Sequence, residues 1–164
     1  MRRTRSTLLS LAAVGALALP MATRPVRAQS AEAEVIAVVN KLFDAMRTRD
    51  TVALRSVFDP QARLAGVSMR GGTPTVQLTP ASEFITAVGK ATGDAWNERT
   101  WDHEVRIDGN VAQVWTKYDF HIGEKFSHCG IDAFQMVKLT DGWKILHLAD
   151  TRQREGCTAP PAGK

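Results

Sequence analysis

The chain has 164 residues, with 21 basic against 17 acidic side chains and a formal net charge of +4. Five arginines (Arg2, Arg3, Arg5, Arg24, Arg27) and no acidic residue precede Gln29, so the remainder carries 16 basic and 17 acidic groups, a net of −1. The body of the protein therefore lacks the positive surplus that phosphate backbones select, and nucleic acid is not an expected partner.

The first 28 residues have the layout of an export leader. Arg2, Arg3 and Arg5 precede an apolar run from Leu8 to Leu19, and Val26-Arg27-Ala28 offers small residues for cleavage after Ala28. The run is short of the roughly 20 residues that span a bilayer. Ordinary secretion fits this pattern, and the Arg2-Arg3 pair leaves twin-arginine export open. The expectation is a periplasmic or secreted protein with no membrane attachment after cleavage. Residues 29–157 are of one-domain size, and residues 158–164, "TAPPAGK", read as a disordered tail.

In chain order, "AEVIAVVNKLFDAMRTRD" places Val35, Val39, Leu42 and Met46 on one helical face. Asp50 is the expected N-cap of a short second helix, "TVALRSVF". "ARLAGVSM" and "TVQL" read as strands about the turn "RGGTP". A third helix, "TPASEFITAVGK", is expected with Thr79 as cap and Pro80 in its first turn. Then come "RTWDHEVRI" and "VAQVWTKYDFHI", the loop "EKFSHCG", and a hairpin of "IDAFQMVKL" and "WKILHLADTR" about Asp141-Gly142. The order α-α-β-β-α-β-β-β-β is an α+β pattern, with helices covering one face of a sheet.

Strand alternation assigns faces. A turn at Gly109-Asn110 puts Trp101, His103, Val105, Tyr118 and Phe120 on an inner, apolar face. In the last hairpin both faces are apolar. The face with Asp132, Phe134, Met136 and His147 is read as inner because its side chains are larger, and the opposite face, with Leu148 and Asp150, as a homodimer surface. His103, Tyr118, Asp132 and His147 are then the inward ionisable groups. Desolvated on an apolar wall, they are candidates for acid–base catalysis, or simply hydrogen-bonded core residues.

"LFDAMRTRDTVALRSVFDPQA" resembles the opening signature of the nuclear-transport-factor-2-like superfamily, and "DGWKILHLADTR" its last strand. "FSHCGIDAFQ" with "DTRQREGC" resembles secreted bacterial members of its SnoaL-like branch labelled lumazine-binding. The resemblance implies a cone: a curved, mostly antiparallel mixed sheet wrapped around three helices, with a pocket at its open end. It does not imply one activity, because isomerases, dehydratases, binders and dimerisation modules share this fold.

"FSHCGID" leaves three readings for Cys129: a nucleophile, a metal ligand, or half of a disulfide. His128 is its neighbour, but adjacent residues on an extended chain point opposite ways. His121, His128 and Cys129 lack ligand spacing. In an oxidising compartment the even count favours a Cys129–Cys157 bridge, although hairpin pairing sets Cys129 opposite Arg154 and requires the ends to bend together at Gly130 and Gly156. No phosphate-cradling loop, nucleophile elbow or zinc-protease helix is present in the sequence. The expected function is binding of a small molecule, without cofactor or metal. Cofactor-free acid–base catalysis and a dimeric interaction module are the alternatives.

Overall fold

The computed structural model describes the backbone of residues 26–161 and the side chains from Ser30 onward. The expected leader falls on residues 1–28, of which 1–25 lie outside the described residues. Helix α1 (Val26–Thr48) buries Val35, Val39, Leu42 and Met46. That is the stripe a 3.6-residue period dictates. Asp50 caps α2 (Thr51–Val57), accepting hydrogen bonds from the backbone N–H groups of Val52 (3.0 Å) and Ala53 (2.9 Å). Helix α3 (Ala81–Lys90) departs from expectation at its start. Pro80 is the N-cap residue and no side chain caps the helix, because Thr79 is held in strand pairing opposite Leu64.

The strands are β1 (Phe58–Arg70), β2 (Thr73–Pro80), β3 (Trp96–Asp108), β4 (Val111–Ile122), β5 (Lys125–Leu139) and β6 (Gly142–Arg152). They form a six-stranded sheet in the order β2-β1-β6-β5-β4-β3. Among these strands only the β1–β6 pair is parallel, so the sheet is mixed. This is the α+β architecture and element order expected from the sequence. The core lies between the helices and one face of the sheet, where Phe43 of α1 meets Phe134 of β5 edge-on at 6.3 Å.

Besides a register shift in β1 between Phe58 and Arg63, bulges in β3, β5 and β6 decide which side chains of those strands face the helices. One extra residue sits in β3 between Trp101 and Glu104, one in β5 between Phe126 and His128, and one in β6 between Ile145 and His147. Asp102, in the first bulge, has φ +55°, a left-handed conformation rare outside glycine. Bulges bend and twist a strand, which wraps the sheet about the helices. Each also reverses the alternation beyond it.

Several strand-level expectations are corrected accordingly. The last hairpin turns at Thr140-Asp141 with Leu139 opposite Gly142, one residue earlier than expected. The β6 bulge then brings Leu148 and Asp150 inward and carries His147 to the outer face. "EKFSHCG" is not a loop, since Lys125 to Gly130 continue β5. Cys129 pairs with Gln153, not Arg154. Its disulfide to Cys157 is formed, with Cα atoms 5.9 Å apart.

Candidate functional site

A cavity of about 390 Å³ lies between α1, α3 and the inner face of the sheet. Its walls are apolar where Leu42, Phe43 and Met46 of α1, Phe84 of α3, Leu64 of β1 and Leu148 of β6 meet. The β1–β2 hairpin borders it with the exposed Arg70 and Gln77. Across the other side, β3 to β6 contribute Glu98, Tyr118, His128, Asp132, Asp150 and Arg152.

Strand pairing explains why these groups converge. Thr116, Asp132 and Asp150 stand in one row across β4, β5 and β6, with Tyr118 and Gly130 in the row beside them. Phe120 and His128 form the next row, opposite Glu98. Glu98 faces inward because it lies before the β3 bulge, where alternation is reversed relative to Val105 and Ile107.

Asp132 is 1 % exposed, and its Oδ2 has no hydrogen-bond partner. Its carboxyl is pushed up to about 8, first by burial and then by the charge of Asp150, while a hydrogen bond with Glu98 and the charge of Arg152 act in the opposite direction. Glu98 is raised well above the usual carboxylate range, by burial and then by the neighbouring Asp132 and Asp150. Both carboxyls are therefore held toward their protonated, neutral forms, Glu98 through burial and through the proximity of Asp132. Asp150 differs because it has a counterion: Arg152 reaches it with Nε at 2.5 Å and Nη2 at 3.2 Å. Gly66 leaves room for this guanidinium, since a Cβ there would lie 3.0 Å from Arg152 Nη2.

Tyr118 is 2 % exposed and donates its hydroxyl to the Thr151 carbonyl at 2.8 Å. Burial first, then the surrounding carboxylates, push its pKa upward and keep it a phenol. His128 is edge-on to Tyr118, with ring centroids 5.7 Å apart, and its Nδ1 is 3.0 Å from Ser127 Oγ. Burial and then Arg152 lower its pKa, so it is neutral at physiological pH.

Of the residues expected in the pocket, Tyr118 and Asp132 line the cavity together. Val105, Phe120, Phe134 and Met136 are on the inner side but belong to the packed core and its margin. Trp101, His103 and His147 do not reach the cavity. Trp101 lies opposite Lys117 and borders a small hollow with Cys129 and Cys157. His103 is 3.1 Å from Thr100 Oγ1 and borders an outer hollow with Trp115. His147 lines another outer hollow, of about 490 Å³, with Glu104, Trp115 and Gln135. The bulges account for all three, since each of these residues sits in or beside one.

Glu98, His128, Asp150 and Arg152 are cavity groups that simple strand alternation did not reveal. Glu98 stands directly before the segment expected as a strand, and His128 lies in the segment expected as a loop. Neither could be given a face without knowing that β3 and β5 extend through them. The β6 bulge hid Asp150 and Arg152. Among the described residues, no group of three or more His, Cys, Asp or Glu is arranged to hold a metal ion. No described helix is long and apolar enough to cross a membrane.

No curated protein matches the sequence. Solved structures share the fold. A Mycobacterium tuberculosis protein of unknown function superposes with a TM-score of 0.64 at 16% identity, covering 81% of this chain and 78% of the other. A nuclear-transport-factor-2-like protein with a cystatin-like fold from Novosphingobium aromaticivorans gives 0.63 at 11% identity, covering 80% and 87%. A "putative dehydratase" of the nuclear-transport-factor-2-like family from Streptomyces avermitilis gives 0.59 at 15% identity, covering 79% and 99%. The family model described as "Putative lumazine-binding" matches residues 30–148, which takes in most of α1, all of α2 and most of the cavity wall, and the chain belongs to that family.

Proposed function

We propose that this chain is an exported protein that binds a small molecule inside its cone. The observation that carries this reading is the cavity of about 390 Å³, with apolar walls on the helix side and ionisable groups on the sheet side. That combination is what a ligand site requires: apolar area for affinity and a few polar groups for orientation. Family membership supports the same reading. The Cys129–Cys157 bridge supports export, because such bonds persist in oxidising compartments. Native mass spectrometry of protein purified without denaturation tests the proposal. A retained small molecule, lost from a Leu64→Trp variant that fills the cavity, is the expected result.

The buried pair of Glu98 and Asp132 favours cofactor-free acid–base catalysis as a second reading. Held protonated at neutral pH, the pair would donate a proton and then, as carboxylate, take one back, as isomerisation or dehydration requires. Tyr118 would position the pair's surroundings, its own proton being engaged by Thr151. For the outer face, Trp115 (53 % exposed) and Leu146 (38 % exposed) support a homodimer, whose second copy would cover the hollow beside His147.

A further inference from the structure

The cavity is lined by three carboxyl groups and two arginines, Arg152 beside the carboxyls and Arg70 at the exposed margin. Arg152 is committed to Asp150 through two hydrogen bonds. Glu98 and Asp132 have no basic partner of their own, and Asp132 Oδ2 is a buried acceptor that meets no donor. A buried carboxylate oxygen without a donor is destabilising, more so when ionised. A ligand that brings N–H groups and a positive charge removes that cost.

We propose that Glu98 and Asp132 form the recognition site for a singly charged nitrogen cation, a protonated amine or amidine carried on an apolar body. This rests on the cavity being a ligand site. The charge balance follows from the groups that face the pair. Asp150 and Arg152 of β6 cancel one another, Tyr118 of β4 and His128 of β5 are neutral, and α1 presents only apolar side chains there. Arg70 of β1 is exposed at the margin, where solvent screens it. The apolar body of the ligand would lie against Phe43, Met46 and Phe84. On binding, the cation's N–H groups replace one of the protons held by Glu98 and Asp132. That proton passes to solvent, so one positive charge enters as another leaves.

Isothermal titration calorimetry with two matched pairs of probes tests this: benzamidine against neutral benzamide, and benzylamine against neutral benzyl alcohol. Runs in phosphate and in HEPES, whose ionisation enthalpies differ, count the protons released. The expected result is at least tenfold tighter binding of the cation in a pair, with close to one proton released, and loss of that preference in Asp132→Asn and Glu98→Gln. Comparison of the probes on the unmodified protein needs no variant to fold. Neutral probes binding as tightly as the cations, or cations binding without proton release, would overturn the inference and leave the cavity as a ligand site. A preference that survives in both variants would also overturn it. Failure of all four probes to bind would count against the inference and the ligand-site reading together.

Discussion

Tyr118 in β4 donates its hydroxyl to the backbone carbonyl of Thr151 in β6, reaching across β5 at the one position where β5 has no side chain. That position is Gly130. A Cβ there would lie 1.9 Å from the Thr151 oxygen, far inside contact distance. The phenol, the glycine and the carbonyl thus lock three strands together beside the cavity.

Two substitutions test this lock. Tyr118→Phe removes one hydrogen bond and should cost about 1 kcal/mol. Gly130→Ala forces the strands apart and should cost about 1–3 kcal/mol or more. Urea melts followed by circular dichroism would measure both. Equal, negligible effects would contradict the geometry.

The carboxyl pair makes stability depend on pH in an unusual direction. Glu98 and Asp132 both titrate higher when folded than when unfolded. The native state therefore binds the extra protons, and the stabilisation is complete below the unfolded carboxylate range, near pH 4. It is lost as the pH rises through the folded values, which for Asp132 means to about 8. Raising the pH from about 5 to about 9 should lower stability by on the order of 2–4 kcal/mol, read from denaturation midpoints, and Asp132→Asn should reduce the slope.

The disulfide clamps the end of β5 to the segment after β6. The described cysteines are both in it. Reduction, or Cys157→Ser, should lower stability by roughly 3–4 kcal/mol. Thiol labelling of denatured, unreduced protein should find no reactive group.

The outer face predicts a concentration-dependent dimer. Sedimentation equilibrium should show Trp115→Glu to be monomeric where the unmodified protein is dimeric. A stable interface of ordinary size holds together at tens of micromolar, so an unmodified protein that is monomeric there would remove the dimer proposal.

How far the sequence could be read follows from where the bulges fall. Val35 to Met46 repeat with the helical period, and Asp50 has the chemistry of a cap, so the helices were legible. Val105 and Val114 pair as the Gly109-Asn110 turn dictates, because no bulge lies between them and that turn. Tyr118 and Asp132 face the cavity, as the sequence predicts. Strand alternation misplaces Trp101 and His147, since a bulge leaves no fixed mark in composition, and one inserted residue reverses every side chain beyond it. It points Asp150 outward for the same reason. His128 is hidden by a segment whose Gly130 and polar residues read as loop, although Gly130 lies in β5 and is a glycine because Thr151 occupies the space a side chain would fill.

Entry of ligands into the cone between α1 and the sheet is tested most directly by backbone amide shifts, recorded by NMR during a fragment screen. Fragments that bind are expected to shift Tyr118, His128 and Asp132, and Leu64→Trp is expected to abolish those shifts. Fragments that instead shift only Trp115, Gln135 and His147 on the outer face would contradict it.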